Sequence, residues 1–174
     1  MTLTSKIRRM AAAGVATLAV AATSLVGASS ASAEVIYPGY TLKNHETGLC
    51  LEANGESTAA GTAVTQWECN QGLHQLWYTS TDAHGRPTLI NSYSGLCLDI
   101  SGASKSPGAR MILWHCNNGW NQVWENRNLS RVNPTTGHAV DVPQGTRTWG
   151  TQMIAWPFNG NNNQRWGYYP STGW

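Results

Sequence analysis

Charge is scarce in this chain, and so is phenylalanine. Only 11% of its 174 residues are charged and a single Phe is present, where an ordinary soluble domain carries about 25% charged residues. No run of Lys and Arg occurs beyond the first nine residues. That argues against nucleic acid, whose binding rests on phosphate neutralisation, and against a membrane surface held by charge. No segment sustains an apolar period of 3.6, which excludes a helical architecture. Serine-hydrolase (G-x-S-x-G), zinc-protease (H-E-x-x-H) and P-loop patterns are absent, and His115-Cys116 fits no zinc spacing. What is abundant is tryptophan and tyrosine, nine and six residues. A core of this size does not need nine indoles, so some are expected at the surface for contact.

The one long apolar run lies at the N-terminus. Lys6, Arg8 and Arg9 precede it, and it extends from Met10 to about Ala28 before Ala31-Ser32-Ala33. A basic start, a short apolar run and a small-x-small site read as a secretory signal peptide, residues 1–33, cleaved after Ala33. The run is rich in Ala, Gly and Thr rather than Leu and Ile, unlike a membrane anchor. Residues 34–174 then form one domain of a secreted, extracellular protein. The leader holds three of the eleven basic residues and none of the nine acidic ones, so the remainder carries a net charge of about −1.

Three repeats organise that domain. Gln75-Leu76-Trp77, Gln122-Val123-Trp124 and Gln164-Arg165-Trp166 recur at spacings of 47 and 42. Leu49-Cys50-Leu51-Glu52, Leu96-Cys97-Leu98-Asp99 and His138-Ala139-Val140-Asp141 recur with the same spacings. Each of these has an Asn six residues before its Cys or Ala position (Asn44, Asn91, Asn133), a Gly eleven after it (Gly61, Gly108, Gly150) and a Trp seventeen after it (Trp67, Trp114, Trp156). The repeats run from about 37 to 81, 82 to 128 and 129 to 174. Each contains short apolar runs parted by turn dipeptides such as Asn54-Gly55, Ser101-Gly102 and Asn159-Gly160, hence several short strands. So small a unit cannot bury its own apolar face. Three must close on one another, which also removes free strand edges. The expectation is a closed, threefold, barrel-like all-β domain, with Trp77, Trp124 and Trp166 in its core.

Four cysteines allow three pairings. Repeat logic selects Cys50–Cys69 and Cys97–Cys116, each 19 residues apart within one unit. The third unit has Ala139 and Phe158 at the matching positions, so it lacks the bond and is expected to fill the space with a ring.

Taken together, C-L-D, the Gly, the aromatic strand, the second Cys and N-Q-x-W resemble the ricin-type β-trefoil lectin repeat, which family 13 carbohydrate-binding modules share. The resemblance covers nearly all of residues 37–174, three times over. It implies a β-trefoil with pseudo-threefold symmetry: twelve strands, six in a short barrel and six in three capping hairpins, with up to one sugar site per repeat. With its own Met1 and leader and no room for an enzyme, the chain is expected to be freestanding.

In that family the sugar is held by the Asp of C-L-D, the aromatic residue two before the second Cys, and the Asn before Q-x-W. The chemistry fits those roles. A carboxylate accepts bonds from two neighbouring hydroxyls, an amide offers a donor and an acceptor, and an indole presents a flat face to the C–H side of a pyranose. The second repeat carries the full set, Asp99, Trp114, Asn121 and Gln122; so does the third, with Asp141, Trp156, Asn163 and Gln164. The first keeps Trp67 and Gln75 but has Glu52 for Asp and His74 for Asn, so a weak or dead site is expected there. A further position, often Gln in the family, is Thr65, Ile112 and Ile154 here, which removes one accessory bond. Gln122 and Gln164 are expected to support the site as much as to contact sugar. Asp99 alone would also suit a turn cap; its recurrence with Trp114 and Asn121 favours a site. Trp120 and Trp149 have no repeat counterpart and are either incidental or extra stacking groups near the second and third sites.

The resulting expectation is non-catalytic binding of galactose-type or xylan-type sugars, with no cofactor, no metal and no membrane insertion. Glycoside hydrolysis needs two facing carboxylates, and each repeat is read as offering one. The alternative is a β-trefoil that binds protein, such as a protease inhibitor, since fold alone does not fix function.

Overall fold

The computed structural model describes residues 39–169. The signal-peptide reading of residues 1–33 lies outside the described residues. Twelve strands are present among them, four per repeat: β1 (Tyr40–Asn44), β2 (Cys50–Ala53), β3 (Val64–Trp67) and β4 (Leu76–Thr81); β5 (Pro87–Asn91), β6 (Cys97–Ile100), β7 (Ala109–Trp114) and β8 (Glu125–Arg127); β9 (Ser130–Val132), β10 (His138–Asp141), β11 (Ile154–Pro157) and β12 (Trp166–Tyr169). Between them lie single 3-10 turns and no α-helix.

The strand pairing shows how the units close. β1 pairs with β12 and β4, β4 with β5, and β8 with β9, all antiparallel. Trp124 N–H bonds the Pro87 carbonyl at 2.8 Å and Trp166 N–H bonds that of Leu129 at 2.9 Å, completing a six-stranded barrel. The other six strands form three hairpins, β2–β3, β6–β7 and β10–β11. Their outer strands meet through Ala63–Ile112, Thr65–Gln152 and the β7–β11 pairing. This is the β-trefoil expected from the resemblance.

The three Q-x-W indoles are buried in the core with Leu42, Leu51, Leu89, Leu98, Met111, Leu113 and Met153. Each also anchors a hairpin, because a buried indole N–H needs a partner. Trp77, Trp124 and Trp166 donate Nε1–H to the carbonyls of Leu51, Leu98 and Val140 at 2.9, 2.9 and 3.0 Å. These acceptors are the middle residues of β2, β6 and β10, immediately before Glu52, Asp99 and Asp141. The core tryptophan thus fixes the strand that carries the site carboxylate.

The repeated asparagines join one unit to the next. Asn133 Nδ2 donates to the carbonyls of Trp120 and Val123 at 2.7 and 3.0 Å, while its Oδ1 accepts the N–H groups of Thr135 and Thr136. Asn91 does the same towards His74 and Leu76, and Asn44 towards Asn163 and Arg165. Each asparagine shapes its own turn and ties down the Q-x-W segment of the preceding repeat.

Both expected disulfides, Cys50–Cys69 and Cys97–Cys116, are present. The third repeat departs from expectation: Phe158 is 38% exposed and lies at the surface instead of filling the missing bond's space. There a backbone bond from Phe158 N–H to the Gly137 carbonyl, 3.0 Å, holds the loop.

Candidate functional site

Each hairpin forms one pocket with the segment that follows it. In the second repeat, β6 supplies Asp99, β7 supplies Ile112 and Trp114, and the 3-10 turn Trp120–Gln122 supplies Asn121. Asn121 Nδ2 and Gln122 Nε2 both donate to the same oxygen, Asp99 Oδ2, at 2.8 Å each. Asn121 also donates to the Ile100 carbonyl at 3.2 Å and Gln122 to that of His115 at 2.9 Å. The carboxylate is therefore oriented through one oxygen, and Oδ1 takes part in neither amide bond. Asp99 is not a turn cap. Trp114 stands 41% exposed at the mouth of a cavity of about 390 Å³.

The third repeat repeats this arrangement. Asn163 Nδ2 and Gln164 Nε2 converge on Asp141 Oδ2 at 3.0 and 2.8 Å, Trp156 is 43% exposed, and Ile154 joins the lining of a cavity of about 340 Å³. Burial raises both carboxyl pKa values and the two amide donors only partly offset it; Asp141 is pushed up to about 6, and Asp99 moves in the same direction. Gln122 and Gln164 also accept N–H bonds from Asn117 and Asn159 at 3.0 and 2.9 Å, so they brace the loop as well as the carboxylate.

The first repeat is built differently. Glu52 Oε2 accepts from Gln75 Nε2 at 3.1 Å and lies 3.3 Å from His74 Nε2, while its Oε1 accepts from Thr65 Oγ1 at 3.3 Å. Both oxygens are engaged, and the longer side chains reduce the cavity beside Trp67 to about 250 Å³. Glu56 also lines it, 3.8 Å from His74 Nδ1. The expectation of one carboxylate per site therefore fails here: the first pocket has two.

Some lining residues were not anticipated. Asn70, Asn117 and Asn159 border the three pockets, and each side-chain Oδ1 accepts the N–H two residues on, at 2.8 to 2.9 Å. They recur twenty residues after the Cys or Ala position, the same kind of signal that revealed the others. Gly55, Gly102 and Gln144 form the opposite wall, all left-handed at φ 63, 62 and 55°. Glycine carries no strain there, and the third repeat uses glutamine instead. Trp120 packs against the core, with the Lys105 ammonium 5.5 Å from its ring centroid. Trp149, read as either incidental or a stacking group near the second and third sites, borders the first site instead: its ring lies 5.4 Å from that of Trp67.

The family profile described as the ricin-type beta-trefoil lectin domain matches residues 38–166. The chain belongs to this family. Among solved structures, this lectin-type domain is similar to a designed threefold-symmetric protein, ThreeFoil, with 29% identity and a TM-score of 0.69, over 74% of this chain and 96% of that one. It is also similar to part of an exo-beta-1,3-galactanase from Clostridium thermocellum, with 28% identity and a TM-score of 0.68, over 75% of this chain but 29% of the enzyme. The fold alone is shared with the C-half of an earthworm R-type lectin in complex with GalNAc, at 20% identity and a TM-score of 0.63, over 75% and 98% of the two chains. Comparison with curated proteins returns no match.

Proposed function

We propose that this ricin-type lectin domain binds galactose-type or xylan-type sugars without reacting with them. The second and third repeats supply the main sites. The observation that carries this reading is the doubled arrangement at Asp99 and Asp141. In each, two amides hold one carboxylate oxygen and leave the other facing a pocket with an exposed indole. Asp99 and Asp141 accept bonds from adjacent sugar hydroxyls, Asn121 and Asn163 add polar contacts, and Trp114 and Trp156 stack on the C–H face. Glu52, Trp67, His74 and Gln75 form a narrower first site of lower monosaccharide affinity.

Catalysis is not part of the reading. Asp99 and Asp141 each stand without a second acidic residue among those lining their pockets. In the first pocket Glu52 is committed to Thr65 and Gln75, which leaves it poorly suited to attack or to proton transfer. Single shallow sites of this kind reach about millimolar Kd, about −4 kcal/mol, and gain by avidity when several engage one polymer or cell surface. The working location is extracellular, after removal of the leader.

A glycan array probed with the secreted chain and with Asp99→Asn/Asp141→Asn tests this. Binding of galactose- or xylose-bearing glycans that the double variant weakens supports it. Silence of both proteins, or equal binding by both, contradicts it.

A further inference from the structure

One exposed ring breaks the threefold pattern. Each hairpin carries a glycine that lies beside the platform indole of a neighbouring repeat: a Cβ at Gly61, Gly108 or Gly150 would stand 3.8, 3.8 or 3.4 Å from Cζ3 of Trp114, Trp156 or Trp67. The residue before that glycine is Ala60 at the second site and Pro107 at the third, but Trp149 at the first. Trp149 is 51% exposed, with its ring plane at 46° to that of Trp67. Trp67 still keeps 36% of its surface open, close to the values of Trp114 and Trp156. Trp149 therefore adjoins the Trp67 platform and leaves it nearly as exposed as its two counterparts.

Adjoining exposed indoles are costly surface unless something covers them. A single pyranose offers one C–H face to one ring, and two planes at 46° cannot both be covered by one flat sugar. They match two successive residues turned relative to each other along a chain. We propose that Trp149, from the third repeat, is an accessory stacking subsite of the first-repeat site and makes that site selective for a twisted oligosaccharide over a monosaccharide or a flat, ribbon-like chain. The proposal rests on the carbohydrate-binding reading above. It also gives the first site a use despite its narrowed pocket: apolar area across two sugars replaces polar contacts to one.

The test is calorimetry on the secreted chain with xylose, galactose, xylotetraose, β-1,3-galactotetraose and, as the flat chain, cellotetraose. Asp99→Asn/Asp141→Asn leaves only the first site, and Trp149→Ala and Trp149→Phe are added to it. The expected result is tetrasaccharide binding by the double variant, with cellotetraose weakest. Trp149→Ala should weaken it about three- to tenfold, the range of one aromatic contact, and Trp149→Phe should retain most of it. Monosaccharide affinity of the first site, read on the double variant, should not change with Trp149→Ala. Unchanged tetrasaccharide binding in Trp149→Ala overturns the proposal, as does an equal loss for monosaccharides, because Trp149 would then only hold Trp67 in place. A wild-type chain that binds these sugars while Asp99→Asn/Asp141→Asn binds none refutes the subsite alone. A wild-type chain that binds none of them refutes the carbohydrate reading as well.

Discussion

Asp99 and Asp141 each do two jobs with two oxygens. One accepts from a pair of side-chain amides; under the proposed function the other accepts from the sugar. Replacing the carboxylate therefore has separable effects. Asp141→Asn keeps an oxygen for Asn163 and Gln164, and is expected to lose sugar binding at the third site while leaving Tm unchanged or raised. Asp141→Ala removes the acceptor that the half-buried Asn163 and the buried Gln164 share, leaving each only its backbone carbonyl, and should lower stability by about 1 kcal/mol, read as a fall in Tm. Acidity adds a second handle. Burial pushes the Asp141 carboxyl up to about 6, above the ordinary value of about 3.9 expected in the unfolded chain. The folded state thus holds this proton more tightly. The associated stability is fully present below about pH 4 and is lost as pH rises through about 6. Sugar binding runs the other way, because the ligand's hydroxyls need the ionised acceptor. Third-site affinity should rise from pH 5 to pH 7.5 in a calorimetric titration; a flat profile would contradict the assigned role of Asp141.

The hairpins and their connecting turns were readable because each repeat writes the same offsets into its sequence. Turn dipeptides marked the strand ends, Q-x-W marked the core indole, and cysteine spacing marked the loops closed by disulfides. The role of Asn44, Asn91 and Asn133 was not readable, since their acceptors belong to the preceding repeat and appear only once the barrel closes. That role makes them strong determinants of stability. Asn133→Ala removes five hydrogen bonds, two that cross to the second repeat and three within its own turn. It should cost about 2–4 kcal/mol and several degrees of Tm. A change within 1 °C would show that the junction does not depend on it. Phe158 illustrates the opposite failure. Its alignment with a cysteine placed it correctly along the chain, but alignment cannot say whether a ring turns inward, and here Ala139 is fully buried while Phe158 stays 38% exposed.

Closure of the three units settles which site each side chain serves. Residue sets within one repeat, such as Asp99, Trp114 and Asn121, assemble as the sequence implied, because hairpin and 3-10 turn belong to the same unit. Trp149 did not follow its number: β3 and the segment before β11 meet through Thr65–Gln152, which carries Trp149 to the first site. Glu56 was missed for a local reason, as it follows a turn dipeptide that was read only as punctuation. The result is a ricin-type trefoil with two matched pockets and one divergent one, and the proposed function reads them as one multivalent surface. The most direct test of that account is a two-dimensional NMR titration of the 15N-labelled protein with galactose and with xylobiose. The account predicts selective shifts of the Trp114 and Trp156 indole N–H signals and of the Asn121 and Asn163 side-chain amides, with the buried indoles of Trp77, Trp124 and Trp166 nearly unmoved. Shifts confined to other surfaces, or none with either sugar at tens of millimolar, would contradict it.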